Sequence, residues 1–258
     1  MFQRWWFVGQ MRPGGGAGPV RGKGPSREAQ HLIIEEWEAA YERLQRIAAE
    51  RVAAVGDVLR EAELPSGEQE LDAVARRDYQ WALDAFAAAG KVLDEAGDLP
   101  DLAAAAVLAE RALERFAAVH ARLAGAAHPP RPAERCYYNP LHAAAERPHR
   151  PEKRSARRRV RPREAAADRR PGCASCRKAI LAGQAPDVLP ALIPVKVSRL
   201  RTARVLVPYY SVPQKWSLWS LSACGAYGDE WPALVLQGEH RRRRPKITSA
   251  PAGGARRA

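Results

Sequence analysis

The chain has 258 residues, a formal net charge of +13 and 46% hydrophobic residues, a fraction that alanine inflates. This length allows one large domain or two small ones, and the charge favours anionic partners such as nucleic acid, anionic lipid or an acidic protein. No stretch approaches 18 consecutive apolar residues, so the sequence predicts no transmembrane helix. Four cysteines in a chain of this length do not make a disulfide scaffold.

Both ends of the chain have the composition of disordered segments. Residues 1–26 are rich in Gly, Pro and Arg, and residues 241–258 form a basic tail. The aromatic island around Trp5–Val8 is too short for the apolar core of a signal peptide. We therefore expect a cytoplasmic protein, with contact to a membrane surface as the alternative.

Residues 27–125 predict a helical coiled-coil domain of three long helices. Apolar residues recur there at alternating steps of three and four, which is typical of the seam between packed helices. The first helix ends at LPSG, residues 64–67, the second spans 68–96, and the third spans 102–124 with Asp101 as its N-terminal cap. An antiparallel three-helix coiled coil is the simplest arrangement, and a hairpin that dimerises is the competing one.

The C-terminal half has a different texture. A Pro-rich linker at 126–135 precedes residues 136–240, where short motifs and prolines replace long periodic runs. Alternating segments at 194–200 and 202–210 predict two short strands, and a short helix or strand is expected after Trp231. The predicted fold class is mainly α, with a small α+β module after the helical domain.

Three of the four cysteines fall in two short stretches, CYYNPLH at 136–142 and CASC at 173–176. Zinc takes four ligands tetrahedrally, and a CxxC turn presents two thiolates together. The RKAILAG sequence after CASC predicts a helix whose N-terminus favours thiolates, while Asn139–Pro140 bends the first stretch. The pattern predicts a structural zinc ion in a zinc-ribbon or treble-clef-like module, bound by Cys136, His142, Cys173 and Cys176.

Two other interpretations of the cysteines stay open. The spacing C-x5-H is looser than usual and thirty residues separate the two stretches, so the thiols could be unrelated. A redox CxxC is the other alternative, although no βαβ pattern precedes it. His149 is the alternative histidine ligand, and Cys224 is expected to be a small buried residue.

No reaction is indicated by the remaining motifs. A nucleophile–base pair and paired carboxylates do not stand out, and GGGAG at 14–18 follows no predicted strand, as a phosphate-binding loop would require. We therefore expect no enzymatic activity and no small-molecule substrate. The expected role is that of a structural or interaction protein, whose helical domain holds a protein partner or a second copy of the chain.

Nucleic-acid binding is the alternative function. The basic insertion at 147–170 carries eleven Lys or Arg residues against three acids, and such a segment can bind phosphates by counterion release. The same charge could attract an anionic membrane surface. The insertion contains no aromatic residue on which bases could stack, and no reader motif is present. Nucleic acid is therefore the less favoured partner.

The chain resembles a group of uncharacterised actinobacterial proteins. The similarity rests on the alanine-rich stretch YQWALDAFAAAGKVLDEAGDLPDLAAAAVLAERAL, on CYYNPLH and on CASCRKAILAGQAPDVLP, and it covers about residues 35–240. In that group a coiled-coil region precedes a Cys-x-x-Asn-Pro-x-His motif and a later CxxC, and some members carry an N-terminal membrane segment, from which this sequence departs. The resemblance implies one site containing Cys136, Asn139, Pro140, His142, Cys173 and Cys176.

Overall fold

The computed structural model of the protein describes residues 25–61, 72–126, 134–142, 170–198 and 201–243. The structure does not describe residues 1–24 of the predicted disordered leader, most of the Pro-rich linker, nearly all of the basic insertion, most of the basic tail or His149. The fold and the candidate site are described for these five ranges.

The described ranges contain three long helices, three short ones and one two-stranded sheet, which confirms a mainly helical chain with a small α+β part. In chain order the elements are α1 (Arg27–Glu61), α2 (Ala73–Asp94), α3 (Leu99–Leu123), α4 (Ala174–Leu181), β1 (Pro190–Lys196), β2 (Thr202–Pro208), a 3-10 turn (Tyr209–Ser211), α5 (Trp231–Leu236) and α6 (Glu239–Arg242).

The third helix begins three residues earlier than predicted. Asp98, not Asp101, is its N-cap, and the Asp98 carboxylate accepts a hydrogen bond from the Leu99 N–H at 2.8 Å. Asp101 occupies the third helical position and accepts the Asp98 N–H at 3.1 Å, which completes a capping box. Pro100 lies in the first turn, where its missing N–H costs nothing.

Helix α3 is the centre of the molecule. It contacts both α1 and α2 more extensively than these two contact each other. Every residue from Leu99 to Ala109 is buried, whereas a seam of two or three apolar positions per heptad would leave one face open. The many alanines of α3 let neighbouring backbones approach closely. The apolar seam predicted for this helix is only part of its buried surface.

The remaining face of α3 is covered by residues from the C-terminal half. Leu189, Tyr209, Trp219 and Val235 belong to the same hydrophobic cluster as the buried residues of the three long helices. The main hydrophobic cluster therefore contains residues from both sides of the predicted linker at 126–135. Independent folding of residues 27–125 stays a prediction.

The two strands pair antiparallel, from Pro190 opposite Pro208 to Lys196 opposite Thr202. The predicted hairpin is confirmed, and its first strand begins four residues earlier than expected. Pro190 and Pro194 both lie in this strand. In a two-stranded sheet, alternate residues turn their N–H group outward, so prolines two or four positions apart can share that outer edge.

No helix in the described ranges is long and apolar enough to cross a membrane.

Candidate metal centre

The first arm of the candidate centre, residues 134–142, is anchored on α3. The Arg135 guanidinium pairs with Glu110 and, at 2.9 Å, with Glu114. The Arg135 carbonyl accepts the Tyr227 hydroxyl at 2.6 Å. Cys136, the next residue, is fully buried, and its backbone is therefore held between the central helix and the C-terminal segment.

A tight turn brings the histidine back towards Cys136. The Asn139 side-chain oxygen accepts the Leu141 N–H at 3.2 Å, and the Asn139 carbonyl accepts the His142 N–H at 3.0 Å. This is the Asn-initiated turn that the Asn-Pro pair favours. It places both ends of the CYYNPLH stretch on one side, as the sequence predicts.

The second arm contains the CxxC turn and opens α4. Cys173 is the N-cap, with extended backbone, and Cys176 lies in the first turn. The Cys173 carbonyl accepts the Arg177 N–H at 3.0 Å, while the Ser175 hydroxyl lies 3.1 Å from the Cys173 sulfur. Both thiols therefore sit at the positive end of the helix dipole, which favours thiolates.

The four predicted ligands converge. The sulfurs of Cys136, Cys173 and Cys176 and a ring nitrogen of His142 all lie within 4.8 Å of one another. His142 Nδ1 is 3.4 Å from the Cys173 sulfur and 3.5 Å from the Cys176 sulfur. A tetrahedral zinc ion with ordinary bond lengths would separate sulfur and nitrogen ligands by about 3.5 Å. The cluster could therefore hold a metal ion with little rearrangement.

The centre is closed by burial. Cys136, Cys173 and Cys176 are 0%, 6% and 1% exposed, and a backbone hydrogen bond from Tyr137 N–H to the Pro171 carbonyl, at 2.8 Å, joins the two arms directly. The thiols form their own small apolar cluster with Tyr138 packed against it. Water has little access to the sulfurs.

Asp187 is a residue of the candidate site that the sequence did not reveal. Its carboxylate lies 3.0 Å from His142 Nε2, the ring nitrogen that faces away from the sulfurs. The Asp187 carbonyl also lies 3.7 Å from the Cys176 sulfur. A carboxylate on the second nitrogen of a ligating histidine fixes the ring and its tautomer. No spacing rule points to Asp187, since it follows Cys176 by eleven residues of loop and helix end.

Without a metal the cluster shares its protons unequally. A hydrogen bond from the Cys176 thiol lowers the pKa of Cys136 to about 3, and the same contact raises the pKa of Cys176. The hydrogen bond to Cys136, with a further one to Asp187, raises the pKa of His142 to about 9. Together these shifts favour a thiolate beside an imidazolium at neutral pH, so one sulfur is already in the state that binds metals.

Cys224 lies outside the cluster. It is fully buried, as predicted, and burial raises the pKa of its thiol. Comparison of the chain with protein-family models, with curated proteins and with solved structures finds no match.

Proposed function

We propose that Cys136, His142, Cys173 and Cys176 bind a structural zinc ion. The observation that carries the proposal is the convergence of three sulfurs and one imidazole nitrogen within 4.8 Å in a buried site. Thiolates and imidazole are the ligands that zinc prefers. Four protein ligands fill the tetrahedron and leave no position for a substrate, which distinguishes structural zinc from catalytic zinc.

The proposed role of the ion is to hold the C-terminal half against the helices. It cross-links the arm anchored on α3 through Arg135 to the arm that leads into β1. Beyond the ligands, the Leu189 N–H donates to the Tyr138 carbonyl at 3.1 Å, and the Tyr209 hydroxyl donates to the Tyr137 carbonyl at 2.5 Å. These contacts connect the centre to the main hydrophobic cluster, and they support a structural function.

Two finer features of the fold belong to the same proposal. A CxxC turn that opens a helix, opposite a turn carrying the other two ligands, supports a treble-clef or zinc-ribbon arrangement. The antiparallel coiled coil is supported by the three long helices and by the short connection between Asp94 and Leu99. The first eleven residues of α3 are buried on every face. This is more typical of a helix at the centre of a domain than of a coiled-coil helix, which buries one face.

A binding role for the helical domain stays a prediction. The large apolar side chains that α1 exposes are Leu32, Ile47 and Val58. At a rise of about 1.5 Å per residue they lie roughly 16 to 22 Å apart along the helix axis. Isolated apolar residues of this kind are normal on protein surfaces, and they do not identify the partner or second copy that the sequence led us to expect.

A thiol hydrolase is the second candidate, because the Cys173 sulfur, His142 and Asp187 line up as a nucleophile, a base and its orienting carboxylate. Three sulfurs surround the imidazole where such a site needs one, and the most exposed of them is only 6% exposed. A substrate carbonyl would not reach these sulfurs. We therefore propose a non-enzymatic centre.

Metal content tests the proposal. Protein expressed with zinc and purified under reducing conditions should contain about one zinc ion per chain, measured by elemental analysis. Cys173→Ser should lose most of the metal because one of four ligands is weakened. Cys224→Ser is the matched control, since it removes a buried thiol outside the cluster and should keep full zinc content. Protein that contains no metal, or a Cys173→Ser variant with full metal content, would refute the proposal.

A further inference from the structure

Four tyrosines from two distant segments meet beside the metal centre. Tyr137 and Tyr138 belong to the first ligand arm, whereas Tyr209 and Tyr210 form the 3-10 turn after β2. The ring centroids of Tyr137 and Tyr210 are 4.9 Å apart, and those of Tyr138 and Tyr210 are 6.2 Å apart in an edge-to-face arrangement. Tyr137 and Tyr209 are buried, while Tyr138 and Tyr210 are partly exposed. Two rings thus form a surface supported by two buried ones.

Two arginines border this aromatic surface. The exposed Arg170 guanidinium lies over the Tyr137 ring at 3.9 Å from its centroid and 5.8 Å from that of Tyr210. Arg177, on α4, lies near Tyr138, and Gly172 lies beside both, since a Cβ at this glycine would come within 3.3 Å of a side-chain carbon of each. A glycine allows this close contact. We call the surface formed by Tyr138, Tyr210, Arg170 and Arg177 the tyrosine–arginine platform.

We propose that the tyrosine–arginine platform binds single-stranded RNA. The proposal rests on the proposed zinc centre, because the two ligand arms carry Tyr138, Arg170 and Arg177. Unstacked bases bind by stacking on aromatic rings and on arginine guanidinium planes, and the phosphates bind to the adjacent positive charge. The platform offers both kinds of group within one surface.

The geometry favours a single strand over a duplex. Duplex readers insert a helix or a ribbon into a groove, whereas two partly exposed rings in an edge-to-face pair offer faces only to bases that are already unstacked. RNA is recognised mostly at such unpaired segments. The absence of aromatic residues from the basic insertion argued against nucleic acid. The fold supplies the aromatic residues from elsewhere, namely from the metal-binding arm and the 3-10 turn.

The positive charge that a phosphate would contact at the tyrosine–arginine platform has to come from the arginines. A zinc ion bound by three thiolates carries a net charge of −1, and Asp187 adds a further negative charge beside His142. Phosphates are therefore expected to contact Arg170 and to avoid the Asp187 side of the centre. Loss of Arg170 should consequently reduce both the affinity and its salt dependence.

The test is fluorescence anisotropy on the full-length chain at about 150 mM salt, with a labelled single-stranded RNA of about 12 nucleotides. Single-stranded DNA of the same sequence and the corresponding RNA duplex serve as comparison probes. Tyr210→Ala should weaken RNA binding by about tenfold or more, because a stacking ring is lost. Tyr210→Phe should retain the affinity, since it keeps the ring.

Arg170→Ala should also weaken RNA binding, by about fivefold or more, with a shallower salt dependence. Arg204→Ala removes the same charge from an exposed position on β2, four residues and roughly 13 Å of strand before its end at Pro208, and it should change the affinity less than about twofold. Circular dichroism and zinc content are measured for every variant. Arg170 is exposed, so its variants test the proposal even where Tyr210→Ala fails to fold.

Three binding patterns would overturn the proposal, as would the absence of RNA binding by zinc-loaded protein. The first is equal or tighter binding of the duplex. The second is binding of the DNA strand without binding of the RNA strand. The third is RNA binding insensitive to Tyr210→Ala and Arg170→Ala in folded protein, which would assign it to the charge of the basic insertion and tail. Zinc-loaded protein that binds no RNA refutes only this inference, whereas metal-free protein refutes the zinc proposal separately.

Discussion

His142 contributes two different nitrogen contacts to the metal centre. Its Nδ1 faces the sulfurs of Cys173 and Cys176, and its Nε2 faces the Asp187 carboxylate at 3.0 Å. The carboxylate accepts the Nε2 hydrogen, so that a zinc ion that displaced the Nδ1 proton of the imidazolium would meet the Nδ1 lone pair. As a ligand of the proposed zinc ion, His142 would therefore depend on Asp187, a residue 45 positions further along the chain.

We predict that Asp187→Ala weakens zinc binding about 10- to 100-fold, as is usual for the loss of a carboxylate behind a ligating histidine. Asp187→Asn should lie between this variant and the unmodified protein, because its amide oxygen still accepts the Nε2 hydrogen. The measurement is a competition titration with a coloured zinc chelator at neutral pH. Asp57→Ala, at an exposed aspartate on α1, is the control. Unchanged zinc affinity in Asp187→Ala would mean that the contact has no role in binding.

At the scale of elements, the start of α3 is the main junction of the fold. The Asp98 carboxylate accepts hydrogen bonds from the Trp37 indole at 2.8 Å and from the Leu192 N–H at 2.9 Å, in addition to its cap on α3. Asp101 accepts the Trp219 indole at 2.8 Å. One short stretch, DLPD, therefore joins α1, α3, β1 and the segment before α5. Its two aspartates are spaced as in a capping box, the signal that would have identified Asp98 as the cap.

The charge of Asp98 should make stability depend on pH. Burial raises its pKa to about 7, with repulsion from Asp101 adding to the effect and the Trp37 hydrogen bond opposing it. Because the folded pKa lies above the unfolded one, the contribution of Asp98 to stability is complete below about pH 4 and is lost as the pH rises through 7. The loss is at most about 4 kcal/mol of unfolding free energy.

We predict that Asp98→Asn flattens the decline in unfolding free energy between about pH 4 and pH 8. The measurement is urea unfolding at several pH values, followed by circular dichroism. Asp57→Asn changes an exposed aspartate and should leave the decline as it is in the unmodified protein. Parallel pH profiles for Asp98→Asn and the unmodified chain would show that Asp98 keeps its charge on folding.

The parts that local spacing encodes were predictable. The three- and four-residue steps predict the long helices, and the cysteine turns predict the four residues that converge. The contacts of Asp187, Arg135 and the four tyrosines were not, because each joins segments that lie far apart in the chain. The burial of the first eleven residues of α3 on every face was not predictable for the same reason. The alanines of α3 predict one buried face, and the residues from Leu189 onward, which are distant in sequence, cover the remaining face.

At the scale of the whole molecule, polar contacts as well as the shared hydrophobic core hold the C-terminal half against the three long helices. The buried Arg111 side chain donates to the Gly225 carbonyl at 2.6 Å, to the Gly228 carbonyl at 2.8 Å and to Asp229. The Trp81 ring stacks on the same guanidinium at 4.5 Å. The proposed zinc ion would fasten the segment that carries the three cysteines to the helices as well. Its loss should therefore destabilise the whole chain and not only its own loops.

The most direct test of the central claim, that a zinc ion holds the two halves together, is urea unfolding of the full-length chain with and without zinc, followed by tryptophan fluorescence. We predict one transition for the zinc-loaded protein, and a loss of at least about 4 kcal/mol of unfolding free energy after chelation. Cys173→Ser should unfold like the chelated protein, whereas Cys224→Ser should keep its sensitivity to the chelator. Identical unfolding curves before and after removal of the zinc, verified by elemental analysis, would contradict the claim.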